Sequence, residues 1–187
     1  MSLVTATLSK GGIAVIPTDT IYGVVAQARD RKAVARLFAL RRTIPRKPFI
    51  ILISELSDLC LFGVYVSTEQ RVFLDRVWPG PVSVVLPCSS EKYEYLHQGA
   101  HALAFRLPKS KRLQTLLREI GPLVAPSANP EGEKPAETTL EAKKYFGDRV
   151  DVYLSAGKRL KGKPSTLVSL TGEKPVVLRQ GSVPIVL

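Results

Sequence analysis

The sequence predicts an α/β protein of the α+β type, in which helices cover the faces of a mixed β-sheet. Short apolar runs typical of buried strands recur along the chain of 187 residues. Segments with helical spacing lie between these runs at irregular intervals. Two strand-like runs near the C-terminus are separated by a Gly-Glu-Lys turn, which requires antiparallel pairing. A regular doubly wound fold would be parallel throughout, so a mixed sheet fits better.

Four elements are expected in the first half of the chain. Residues 13–17 form an apolar run, typical of a strand, that ends in a polar turn. Apolar residues at helical spacing follow Asp30, which suits the N-cap of a helix. Residues 49–53 have the composition of a buried strand. Ser67 and Gln70 have the spacing of a capping box, so a helix should begin there and end before the next Pro-Gly pair.

The second half is richer in strands. Two helices are expected, one with an apolar face that includes Leu113 and Leu117, and one over residues 139–146. The apolar runs predict strands over residues 82–86, 103–107, 123–126, 150–154, 166–170 and 175–179. We find no internal repeat and no linker, so we expect residues 1–187 to form a single domain.

The net charge favours a partner that carries phosphate. The chain has 27 Lys and Arg against 16 Asp and Glu, a net charge of +11, and residues 29–48 hold eight of the cations against one acid. Nucleotides and nucleic acids are attracted by such an excess, which also occurs in proteins that only need solubility.

Composition also predicts the compartment. The longest apolar runs are far shorter than the about 20 residues of a membrane span, and no basic segment leads into an apolar stretch at the N-terminus. We therefore expect a cytoplasmic protein with no membrane partner. Cys60 and Cys88 lack any paired spacing, so both are expected to be core thiols and not metal ligands.

Two familiar catalytic patterns do not apply. Residues 157–163 have P-loop spacing, but Pro164 replaces the magnesium-binding hydroxyl and a strand follows where a helix must start. His97 and His101 lie in a glycine-flanked loop without a carboxylate or cysteine pattern, so we assign them no catalytic role and expect no metal site. The remaining polar loops offer hydroxyls, one amide and arginines. These groups suit the recognition of phosphate and carboxylate, with catalysis by positioning and charge neutralisation.

A set of motifs in the polar loops resembles the YrdC-like threonylcarbamoyl-AMP synthases over residues 11–184. They occur in the family's order, as Pro-Thr-Asp-Thr-Ile-Tyr-Gly at 17–23, Lys-Pro at 47–48, Trp-Pro-Gly-Pro at 78–81, Phe-Arg-Leu-Pro at 105–108, Ala-Pro-Ser-Ala-Asn at 125–129, Pro-Ser-Thr at 164–166 and Leu-Arg-Gln-Gly at 178–181. The resemblance implies a twisted mixed sheet around a basic concave cleft. It also implies an enzyme that forms threonylcarbamoyl-adenylate and pyrophosphate from L-threonine, bicarbonate and ATP with Mg²⁺. A downstream threonylcarbamoyl-transferase would then modify a tRNA adenosine.

The resemblance also implies site residues. The threonine pocket would be formed by Thr20, Tyr22, Arg106 and Ser165. The ATP contacts would be Arg41, Lys47, Ser127, Asn129 and Arg179, of which Lys47, Ser127 and Asn129 are the expected catalytic residues. Taken without the resemblance, Thr20 and Tyr22 also suit an ordinary strand, and Ser127 and Asn129 suit a turn that satisfies its own backbone. Arg106 could likewise be a surface residue or the partner in an ion pair.

The chain departs from the family pattern in its basic loop. The usual Lys-x-Arg aligns with Arg41 and Thr43, so the second cation is missing, and an apolar Leu52 replaces a residue that is usually polar. This departure favours a divergent, YciO-like branch with weak or altered activity. The alternative hypothesis is a protein that keeps the fold and binds tRNA or double-stranded RNA without synthase activity.

Overall fold

The computed structural model describes residues 2–42, 49–158 and 160–186. The strands are β1 Ala14–Pro17, β2 Tyr22–Gln27, β3 Ile50–Leu52, β4 Val82–Pro87, β5 Ala102–Arg106, β6 Leu123–Val124, β7 Val152–Tyr153, β8 Thr166–Ser169 and β9 Val176–Arg179. The α-helices are α1 Leu3–Ser9, α2 Arg31–Arg41, α3 Thr68–Val77, α4 Glu94–His97, α5 Lys111–Ile120 and α6 Thr139–Phe146. Short 3₁₀ helices cover Leu56–Phe62, Glu91–Tyr93 and Gly147–Arg149.

The nine strands found among the described residues form one twisted sheet in the order β7-β1-β2-β6-β3-β5-β4-β8-β9. Parallel pairing joins β1 to β7, β3 to β5 and β4 to β8. The other neighbouring strands are antiparallel, including the C-terminal pair β8 and β9. The predicted mixed sheet is therefore confirmed.

Both faces of the sheet are buried. Neighbouring residues of one strand belong to different apolar clusters, for example Val24 and Val25 in β2, and Ile51 and Leu52 in β3. Alternate side chains of a strand point to opposite faces, so each cluster covers one face. This explains why the central strands appear in the sequence as continuous apolar runs.

The predicted helix starts are confirmed by their caps. The Asp30 carboxylate accepts hydrogen bonds from the backbone of Lys32 and Ala33 at the start of α2. Ser67 and Gln70 form the expected capping box of α3. Such caps satisfy backbone N–H groups that have no partner within the helix.

Several elements differ from the prediction. The helix α1 was not predicted, because its β-branched residues lower helix propensity, although Ser2 caps it. The strand β2 was also missed, because Gly23 interrupts its apolar run and a polar turn precedes it directly. Cys88 is buried as expected, but the same prediction for Cys60 is wrong. Cys60 is exposed because the short helix Leu56–Phe62 buries Leu59 and Phe62 instead.

Among the described residues, no helix is long and apolar enough to span a lipid bilayer.

Candidate functional site

A cleft of about 300 Å³ lies against the sheet. Its lining comes from the end of α2, the start of β3, the turn between β1 and β2, the last residues of β5 and β9, the loop after β6 and the residue before β8. All the predicted site residues that the structure describes line this cleft, namely Thr20, Tyr22, Arg41, Arg106, Ser127, Asn129, Ser165 and Arg179. Lys47, also predicted, lies outside the described residues.

Arg106 is the most buried of the cleft's described cations. Its side chain is 5% exposed, and its Nη2 lies 3.1 Å from the carboxylate oxygen Oδ1 of Asp19. Its Nη1 donates a 2.9 Å hydrogen bond to the hydroxyl of Thr20. Burial lowers the pKa of Arg106, and the negative charge of Asp19 opposes that effect. The Nε–H group is shielded from solvent and finds no acceptor among the described residues.

Arg41 belongs to a second group of contacts. Its Nε donates to the backbone carbonyl of Asn129 at 2.8 Å, and its guanidinium lies 3.7 Å from the carboxylate of Glu131. Burial lowers the pKa of Arg41, while Glu131 raises it. These two contacts hold the buried guanidinium of Arg41 at the cleft, where it contributes a positive charge.

The loop after β6 is fixed by the side chain of Asn129. Its amide nitrogen donates to the backbone carbonyls of Pro130 and Glu133, both at 2.8 Å. Its amide oxygen is buried and has no donor among the described residues. Gly23 of β2 forms a β-bridge with Ser127, which holds this loop against the sheet. In the described part of the chain, the amide oxygen of Asn129 is thus an acceptor without a donor at the cleft.

Arg179 and Ser165 form a third group of contacts. Arg179 donates from Nη2 to the backbone carbonyl of Ser165 at 2.9 Å, and burial lowers the pKa of Arg179. The hydroxyl of Ser165 lies 2.8 Å from that of Ser83 in β4. The Tyr22 hydroxyl accepts a 2.8 Å hydrogen bond from the backbone N–H of Ala156, so it fixes a neighbouring loop.

Sequence reasoning missed the carboxylates that pair with the buried arginines. Asp19 lies inside the polar turn of residues 17–23, and Glu131 lies just after the Ser-x-Asn loop. The available signal was general: a buried arginine needs a carboxylate partner, and each of these loops contains an acid. The described residues contain no cluster of three or more side chains suited to a metal ion.

The cleft is suited to anionic and hydrogen-bonding ligands. Among the described residues, three arginines and two acids, Glu131 and Glu133, line it, and a further acid, Asp19, forms an ion pair with Arg106. Arginine can bind a carboxylate or a phosphate through two parallel hydrogen bonds. Serine and threonine hydroxyls add neutral donors and acceptors.

Comparison with known proteins identifies the family. Residues 6–181 match the family model named Sua5_yciO_yrdC, described as "Telomere recombination". The chain belongs to this family. A threonylcarbamoyl-AMP synthase from Pyrococcus abyssi is 32% identical over 95% of this chain, which spans 53% of that relative's length. A threonylcarbamoyl-AMP synthase from Halorhodospira halophila is 31% identical over 94% of this chain and 87% of its own length.

Solved structures agree with this assignment. P. abyssi Sua5 complexed with L-threonine superposes with a TM-score of 0.89 at 29% identity, covering 97% of this chain and 54% of that one. Escherichia coli YciO superposes with a TM-score of 0.84 at 26% identity, covering 95% of this chain and 87% of that one. The resemblance to the YrdC-like family that the sequence indicates is therefore confirmed, together with its fold.

Proposed function

We propose that this protein is a threonylcarbamoyl-AMP synthase, which forms threonylcarbamoyl-adenylate and pyrophosphate from L-threonine, bicarbonate and ATP. The proposal rests on the convergence of eight predicted site residues on one cleft. It is supported by relatives named as threonylcarbamoyl-AMP synthases and by a related structure that was solved with L-threonine.

Threonine would bind at Arg106 and Thr20. The buried guanidinium has an unpaired Nε–H that can donate to a carboxylate, and the adjacent hydroxyl can contact the amino group. Ser165 would contribute a further hydroxyl beside this pocket. Tyr22 would support the pocket indirectly, because its hydroxyl holds the backbone of Ala156.

ATP would bind across the loop after β6 and the end of β9. Arg179 and Arg41 would offset phosphate charge, and we assign Lys47 to the same task. Ser127 would donate to a phosphate oxygen, and the unfilled amide oxygen of Asn129 would accept from the nucleotide. In this proposal Mg²⁺ arrives on the phosphates of ATP as part of the substrate.

The reaction joins three small molecules. The threonine nitrogen bonds to the carbon of bicarbonate with loss of water, which gives a carbamate. A carbamate oxygen then bonds to the α-phosphorus of ATP as the bond to the β-phosphate oxygen breaks and pyrophosphate leaves. The protein would act by holding the reactants in line and by offsetting charge on the phosphates. The adenylate would pass to a transferase that modifies tRNA.

Pyrophosphate release tests the proposal. The purified protein should release pyrophosphate only when ATP, threonine and bicarbonate are all present. The variant Arg179→Ala should be slower by about 10²-fold, as expected for losing one strong electrostatic donor. Arg71→Ala is the matched control, because Arg71 forms an exposed ion pair with Asp75 on α3, outside the cleft. Equal release with and without threonine would contradict the proposal.

RNA binding without synthesis is the second candidate. Exposed cations cluster at the start of α2, where Arg29, Arg31 and Lys32 follow one another with only Asp30 between them. The net charge of +11 adds a general attraction for phosphate. This candidate predicts RNA binding together with no pyrophosphate release under any combination of the three substrates.

A further inference from the structure

A basic segment, residues 157–163, directly precedes one wall of the cleft in the sequence. It contains Lys158, Lys161 and Lys163, and the chain from residue 152 to residue 172 holds four cations and no acid. The three lysines are exposed, and no ion pair within the described part of the chain involves them. The strand β8 follows where a P-loop would need a helix. Neither a P-loop nor an ion pair with a described residue therefore accounts for these lysines.

Neighbouring contacts hold the basic segment at the cleft. Before it, the backbone N–H of Ala156 donates a 2.8 Å hydrogen bond to the hydroxyl of Tyr22, which lines the cleft. Within it, the backbone of Gly162 packs directly against the backbone oxygen of Thr20. After it, Pro164 lines the cleft itself. The last lysine of the segment is thus the immediate neighbour in sequence of a residue in the cleft wall.

This wall also holds Arg179. Its Nη2 donates a 2.9 Å hydrogen bond to the backbone carbonyl of Ser165, which lies only two positions after Lys163. The other two arginines of the described cleft each face a carboxylate, one at Glu131 and one at Asp19. Arg179 forms no such pair with any described residue. An anionic ligand therefore finds the least balanced positive charge at the Arg179 end of the cleft.

We propose that Lys161 and Lys163 bind the β- and γ-phosphates of the nucleotide at the Arg179 end of the cleft. This inference rests on the proposed function, in which ATP is a substrate. Lysine binds phosphate as a point charge on a flexible four-carbon stem, so a lysine at the rim can reach a ligand inside a cleft. The two lysines would also supply positive charge that the family pattern loses at Thr43.

The charge of the cleft itself favours such a contribution. Three arginines of the described cleft are matched by three acids, of which Glu131 and Glu133 line it and Asp19 pairs with an arginine. These charges sum to zero, whereas a triphosphate carries several negative charges even with Mg²⁺ bound. Cations from a neighbouring segment can offset that excess. AMP has no outer phosphates, so its binding should not depend on the two lysines.

The test compares ATP with AMP. Both nucleotides are titrated into the full-length protein by calorimetry at the same Mg²⁺ concentration, and the ratio of their affinities is measured. Lys161→Ala and Lys163→Ala should each lower the preference for ATP by about tenfold, as expected for losing a hydrogen bond to a charged group. The corresponding Lys→Arg variants keep the charge and should keep the preference. Lys174→Ala is the matched control, because this exposed lysine precedes β9, whereas Arg179 ends it.

Threonine affinity shows whether a variant has moved the segment, because Gly162 packs against Thr20. We expect both alanine variants to bind threonine as the wild type does. If they bind it more weakly, the arginine variants decide: a restored ATP preference supports the inference and a lost one contradicts it. An unchanged preference in both alanine variants, or a wild type that binds ATP no more tightly than AMP, would overturn the inference alone. A wild type that binds no ATP would instead contradict the proposed function.

Discussion

Gly162→Ala should disturb the cleft although the residue itself is exposed. An alanine Cβ at this position would lie 1.9 Å from the backbone oxygen of Thr20 and 3.0 Å from its carbonyl carbon. To reach even 3.0 Å, the shortest separation that real Cβ atoms show, the two segments must part by about 1.1 Å. The glycine is therefore needed because the backbone passes directly over the turn that holds Thr20.

The segment that contains Gly162 has little freedom to move away. The backbone N–H of Leu160 donates to the carbonyl of Glu137 at 2.8 Å, and the carbonyl of Pro164 accepts a 2.8 Å hydrogen bond from Ser182. We therefore expect the backbone turn at Thr20 to be displaced in the Gly162→Ala variant. A displacement of about 1 Å in a substrate-positioning group can lower the rate by about 10²-fold.

Steady-state kinetics and thermal unfolding together measure this effect. For Gly162→Ala we expect a higher KM for threonine and a kcat/KM lower by about 10²-fold. The matched control is Gly172→Ala, because a Cβ there meets no atom within 4 Å. The control should stay within about 0.5 kcal/mol of wild-type stability and keep its activity. Identical threonine kinetics in the two variants would refute the argument that the Thr20 turn is held by this close contact.

Three further predictions concern other parts of the molecule. Arg106→Ala should weaken threonine binding by about 2 to 4 kcal/mol and lower stability by about 3 to 5 kcal/mol, because it leaves Asp19 without its cation. Calorimetry and urea unfolding measure these losses, and unchanged threonine affinity would contradict the assignment of Arg106. In the native protein a thiol reagent should label Cys60 alone, because Cys88 is buried and burial raises the pKa of its thiol. Equal labelling rates at the two cysteines would contradict the burial of Cys88. Any RNA binding should weaken steeply with salt and tolerate different sequences, as phosphate contacts do, and a salt-insensitive preference for one RNA would argue against this.

Most of the fold could be predicted because the sheet is buried on both faces. Continuous apolar runs such as residues 82–86 and 103–107 correspond to β4 and β5 within one residue. The strand β2 could not be found in the same way, because Gly23 interrupts its apolar run and its place in the sheet depends on pairing with β1 and β6. The missed helix α1 is stabilised by packing of Val4 and Leu8 against the sheet, which its local sequence does not reveal.

The residues of the cleft could be predicted individually, but their contacts could not. Thr20 and Arg106 are 86 positions apart, and Asp19 and Lys109 are 90 apart, yet they form one hydrogen-bonded group. No local pattern encodes such contacts, which arise only when β2 and β5 take their places in the same sheet. The pairing of Arg41 with Glu131 and the close approach of Gly162 to Thr20 likewise depend on how distant segments pack.

Identification of the product tests the central claim most directly. The protein is incubated with ATP, L-threonine and ¹³C-labelled bicarbonate, and the adenylate is analysed by mass spectrometry. The proposed reaction predicts threonylcarbamoyl-adenylate that carries one labelled carbon and appears together with pyrophosphate. The outcome that would contradict the account is an adenylate without the label, or ATP turnover to the same products when bicarbonate is left out.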